Sequence, residues 1–239
     1  MNAPSLPAVA PRRPDRRFYT VMAVAIALTV FAGFAPTFYL RGIFETKPLS
    51  NLLILHGILF TSWIILFFAQ VRLVAAKRTD VHRKLGVAAV ALATVMPVVG
   101  FLAAVNAAKQ GFTPPNGPPP LVFMLIPLSD MVVFPILVGL GLYFRRRSDI
   151  HRRLMLLATL AILTPAIARI PFIRPLGLPA FFGTTDLFII TCLVYDRFRN
   201  GRLHPAFLWS GLFIVAMQPA KLLFAGTPLW HSIAVWLTR

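Results

Sequence analysis

The chain has 239 residues, 58% hydrophobic and 13% charged, with a formal charge of +17 and a mean hydropathy of +0.76. That is too apolar for a soluble domain and supplies repeated runs long enough to cross a bilayer. It also argues against nucleic acid as the partner of the basic charge, because the bases lie between apolar runs, where anionic lipid headgroups read them. The single Cys192 stands within an apolar run and leaves neither a disulfide pair nor a cysteine metal site.

In chain order, residues 1–17 are rich in proline, carry Arg12, Arg13, Arg16 and Arg17, and read as a disordered basic tail. The run 18–40 has a positive flank but exceeds a signal core, and Pro36 follows the small residues that would invite cleavage, so it reads as an uncleaved first membrane helix. Six more runs follow, at about 50–73, 84–107, 120–144, 152–170, 180–197 and 205–225. At ~1.5 Å per residue each can cross a hydrocarbon core of ~30 Å. The expected fold is an all-α integral membrane protein, a seven-helix bundle over 18–226, followed by an interfacial segment at 227–239 that carries Trp230 and Trp236.

Bases fall in alternate connections: the tail and the stretches 72–84, 145–153 and 197–202 hold 17 of the 24. The positive-inside rule then places the N-terminus in the cytoplasm of a bacterial cell's inner membrane and the C-terminus outside. Two of these connections repeat a pattern, Arg-Thr-Asp-Val-His-Arg-Lys-Leu-Gly at 78–86 and Arg-Ser-Asp-Ile-His-Arg-Arg-Leu-Met at 147–155. Each reads as a tight turn between antiparallel helices, with Asp80 or Asp149 capping the helix that follows. The copies run in the same direction across the membrane, so they are parallel repeats and lend no support to an inverted-repeat transporter. The outer connections, 111–120 and 170–179, are stiffened by prolines and pack on the helix ends.

Polar residues inside the apolar runs carry the functional reading. Asp130 lies about ten residues into the fourth helix, near the bilayer midplane, between Pro127 and Pro135. A carboxylate there costs at least ~2.5 kcal/mol unless neutralised, paired or hydrated. Gln218 and Lys221 share a face of the seventh helix, while Arg169 and Asp186 stand at the outer ends of the fifth and sixth. His56, one turn inside the second helix, lies on one stripe with Trp63 and Gln70. These residues could line one outer cavity, with Lys221 or Arg169 as the counter-charge of Asp130. The alternatives are that His56 joins two helices and that Arg169 and Lys221 snorkel to the headgroups.

His82 and His151 form a matched pair at the cytoplasmic ends of the third and fifth helices, either as parts of the turns or as axial ligands of one haem. The order of His56, the His-Arg-Lys-Leu-Gly turn at 82–86 and the second turn at 151–155 resembles bacterial multi-helix membrane proteins that carry a histidine and, one hairpin later, a His-Arg-x-x-Gly turn. That family implies no activity. A fainter similarity is to the cytochrome b561 type, in which histidines on four successive helices bind two haems. This chain has Asp130 where the fourth ligand would stand, so the resemblance implies at most one haem b, between His82 and His151.

No zinc helix, histidine box, phosphate-binding glycine loop or nucleophile elbow is present. Three functions remain open: a structural or accessory membrane protein, in some cases a homo-oligomer; a carrier or binder of a small or lipid-like molecule around Asp130; and a haem-binding redox protein.

Overall fold

The computed structural model describes residues 16–46, 48–114 and 117–239, and among them every regular element is helical. The order is α1 (Arg16–Phe34), a π-helical turn (Ala35–Tyr39), α2 (Asn51–Ala75), α3 (Thr79–Lys109), α4 (Pro120–Tyr143), α5 (Ser148–Ala161), α6 (Thr164–Ile167), a 3₁₀ turn (Arg174–Leu176), α7 (Gly177–Asn200), α8 (Pro205–Ala225) and α9 (Pro228–Leu237). Seven helical stretches are long and apolar enough to cross a membrane, α1 with its π turn and α5 with α6 each counting as one. Most of the basic tail lies outside the described residues. Its last two arginines, expected to be disordered, are instead the first residues of α1, where Arg16 donates to the carbonyl of Ala75 at 2.8 Å.

Local chemistry explains the boundaries. Ser50, His204 and Thr227 each accept a bond from a backbone N–H of the first turn of α2, α8 and α9, and proline opens α4, α8 and α9, where a missing N–H costs nothing. Gly201 ends α7 in the left-handed conformation, with φ at 71°, and its N–H bonds the carbonyl of Arg197. The fifth predicted run is broken: Pro165 has no N–H to bond the carbonyl of Ala161, so α5 stops there and α6 begins at Thr164. The turn aspartates also differ from expectation. The helices start earlier, with Arg78 and Arg147 as N-caps that make no side-chain capping bond, so Asp80 and Asp149 sit inside the first turn, where a carboxylate meets the positive end of the helix dipole.

Burial ranks the helices. In the apolar windows of α4 and of α5 with α6, 56% and 67% of residues are buried, against 11% in α2, so the Asp130-bearing helix and the broken fifth span form the centre. Trp63 of α2 reaches that centre, edge-on to Phe134 and donating to the hydroxyl of Thr159 at 3.3 Å. At Gly33, α1 comes so close to α6 that an added Cβ would strike the carbonyl of Ala166. The C-terminal segment is a packed helix as well as an amphipathic one: Trp230 and Ala234 of α9 are buried with Ala104, Met124 and Leu125, Trp230 donates to the carbonyl of Leu121 at 2.9 Å, and Trp236 is exposed.

Candidate functional site

Two of the polar residues expected to share a cavity are in direct contact. α4 carries Asp130 into the centre of the bundle and α8 carries Lys221 to the same level, where its ammonium donates to Asp130 Oδ1 at 2.9 Å. Both side chains are buried, and the ammonium also lies 5.0 Å from the centre of the Phe182 ring. The other carboxylate oxygen, Oδ2, is buried with no hydrogen-bond partner. One turn before Lys221 on the same face, Gln218 donates through its amide nitrogen to Asp186 Oδ1 of α7 at 2.7 Å.

A small cavity lies beside the pair. Asp130, Lys221 and Gln218 line it with Thr164 of α6 and Thr185 and Phe182 of α7. Its volume is about 10 Å³, roughly the room that one water molecule needs. Thr185 donates to the carbonyl of Phe181 at 3.1 Å, so in its 3.0 Å contact with Thr164 the latter is the donor. Both lone pairs of the Thr164 oxygen therefore stay open. Because α5 breaks before Thr164, this hydroxyl is carried by a short helix of its own.

Of the other residues expected here, Asp186 reaches the cavity through Gln218, whereas His56 and Arg169 do not line it. His56 stacks on Phe60 with ring centres 4.1 Å apart, while Arg169 lies over the ring of Phe34 and donates to the carbonyl of Pro165 at 2.7 Å. Arg169 is thus tied to the junction between α1 and α6 and is not the counter-charge of Asp130. Thr164 and Thr185 were not legible beforehand, since a threonine in an apolar helix ordinarily bonds its own preceding turn.

A second polar centre lies near the basic turns. Arg153 of α5 pairs with Asp196 of α7, both fully buried, and Asp196 also accepts from Asn200 and from the backbone N–H of His204, each at 2.6 Å. His204 bonds Asp149 Oδ2 through Nε2 at 3.1 Å and accepts from Ala206 N–H through Nδ1. This set of bonds holds the second turn to the connection between α7 and α8 and is structural in character. Beside it, the His82 and His151 rings have centres 6.4 Å apart and planes at 84°. His151 Nδ1 meets the carbonyl of Gly141 at 2.7 Å, so Nδ1 carries the proton and Nε2 is left as the free lone pair. Among the described residues no three His, Cys, Asp or Glu side chains gather as a metal site would require.

Compared with protein-family models, with curated proteins and with solved structures, the chain finds no match.

Proposed function

We propose that this chain is a multi-pass protein of the bacterial inner membrane, N-terminus in the cytoplasm, and that it is a carrier whose small polar cargo engages Asp130 in the outer half. The reading rests on one observation: a carboxylate in the middle of an apolar helix has one oxygen held by Lys221 and the other unpartnered beside a cavity. A buried ion pair is a weak stabiliser, since apolar side chains of the same size often serve as well or better. Unlike Asp196, whose two oxygens are both engaged by Arg153, Asn200 and His204, Asp130 keeps one oxygen unpartnered, and intramembrane charge is chiefly a mark of ion and substrate pathways. The size of the cavity narrows the cargo, because a lipid-like molecule has no room there, whereas something the size of a water molecule has.

The test is transport by purified protein in vesicles loaded with a pH-sensitive dye and challenged with gradients of salts and small polar solutes. A dye response to at least one of them in the wild type, lost in Asp130→Asn that melts like the wild type, is expected. An equal response in Asp130→Asn, or none in the wild type, would leave the protein without a carrier role.

A second reading, haem b held by His82 and His151, is favoured by the engagement of His151 Nδ1 with a backbone carbonyl, the arrangement that fixes ligating histidines elsewhere. His82 Nδ1 is buried without a partner, so its ring too has an unused polar edge. Haem bound there would supply one-electron chemistry between the two histidines. Protein purified from haem-supplemented cells should then show a Soret band that both His82→Ala and His151→Ala remove.

A further inference from the structure

We infer that the cargo is a small monovalent cation of the size of sodium, which competes with Lys221 for Asp130. The inference rests on the carrier reading above and names the species that the same cavity takes. Three observations carry it.

The first is the balance of donors and acceptors. Around the cavity the unused groups are oxygens with lone pairs: Asp130 Oδ2, the hydroxyl of Thr164, and the carbonyl oxygen of Gln218, whose nitrogen is turned to Asp186. Free oxygens that include a carboxylate suit a hard cation, whereas an anion would meet only the ammonium that Asp130 already holds. The second is charge. With both carboxylates ionised, Asp130, Asp186 and Lys221 together leave one negative charge, which one bound monovalent cation neutralises. The third is size, since a cavity of about 10 Å³ admits a dehydrated ion and no organic solute.

No covalent bond changes. A cation enters between Asp130 Oδ2, Thr164 and Gln218, and its charge weakens the hold of Asp130 on the ammonium of Lys221. With the ammonium still in place, the charges of Asp130, Asp186, Lys221 and the bound cation sum to zero.

The experiment uses purified full-length protein in nanodiscs, in weakly buffered choline chloride near pH 8, titrated with sodium chloride and in parallel with potassium and choline chloride. A saturable rise in melting temperature that sodium produces and choline does not is expected. Thr164→Val, which keeps the shape and removes the oxygen, should weaken the sodium response by at least about tenfold, and Thr164→Ser should restore it. Asp130→Asn should abolish it. A melt indifferent to sodium and potassium alike would overturn the cation assignment. So would an undiminished sodium response in a folded Thr164→Val protein, because the ion would then be bound elsewhere. If sodium is without effect while the vesicle dye response to some other solute still depends on Asp130, the cation assignment alone fails. If no dye response depends on Asp130, the carrier reading fails with it.

Discussion

Lys221 and Asp130, 91 residues apart in the sequence, meet at 2.9 Å in the interior of a bundle whose neighbouring side chains are largely apolar. Their contact joins α4 to α8 at the level where the broken fifth span brings in Thr164. With Phe182 and Thr185 of α7, four of the seven apolar spans line one small cavity around the pair, and anything that loosens it acts on all four.

The other buried pair is expected to behave as a structural clamp. Removing Asp196 leaves the Arg153 guanidinium buried and unpaired and strips two further donors of their acceptor. Asp196→Ala should cost about 3–5 kcal/mol, whereas Asp80→Ala, at an exposed pair with Arg78 that solvent screens, should cost far less. Denaturation in mixed micelles measures both, and equal costs would remove the distinction between the two aspartates.

His204 caps α8 through Nδ1 and reaches Asp149 through Nε2. His204→Ala loses the cap and should destabilise by about 0.5–2 kcal/mol, while His204→Asn, itself a good N-cap, should recover most of that. If Asn is as damaging as Ala, the bond to Asp149 is the part that matters.

Two glycines of helices should respond in opposite directions. Gly33→Ala places a methyl against the backbone carbonyl of Ala166, which cannot swing aside, and should cost about 1–3 kcal/mol. At Gly139 an added Cβ meets nothing within 4 Å, so alanine there should be neutral or stabilising by up to ~1 kcal/mol from helix propensity. Thermal melts of the two variants side by side decide it.

Orientation is tested by single cysteines in a Cys192→Ala background. Positions 148 and 200 should be shielded from a membrane-impermeant reagent added to intact cells, and position 227 should be labelled. Labelling at 148 would invert the orientation.

The seven spans were legible because the length of an apolar run is a one-dimensional property that the bilayer reads directly. Asp130 stood out because its cost in lipid is high wherever its partner lies. Which partner it takes depends on how helices rotate and tilt against one another. Spacing gives a stripe on one helix but not the neighbour that the stripe faces, so Lys221 and Arg169 looked alike as counter-charges until the bundle separated them. The caps assigned to Asp80 and Asp149 failed for a local reason, the earlier helix starts at Thr79 and Ser148, which leave both carboxylates acting on the helix dipole. Arg153 and Asp196 passed unnoticed because charges close to a basic turn look solvated, and only the packing of α5 on α7 shows that they are not.

The most direct measurement is a double-mutant cycle on Asp130 and Lys221, read by thermal melts in nanodiscs. Lys221→Ala leaves a buried carboxylate without its partner and should destabilise strongly, by about 3–5 kcal/mol, and Asp130→Asn keeps the shape while removing the charge. Contact between the two predicts that Lys221→Ala combined with Asp130→Asn is more stable than Lys221→Ala alone, because no charge remains stranded. Strictly additive effects would mean that the two side chains do not interact in the membrane, and would contradict the pairing on which the carrier reading stands.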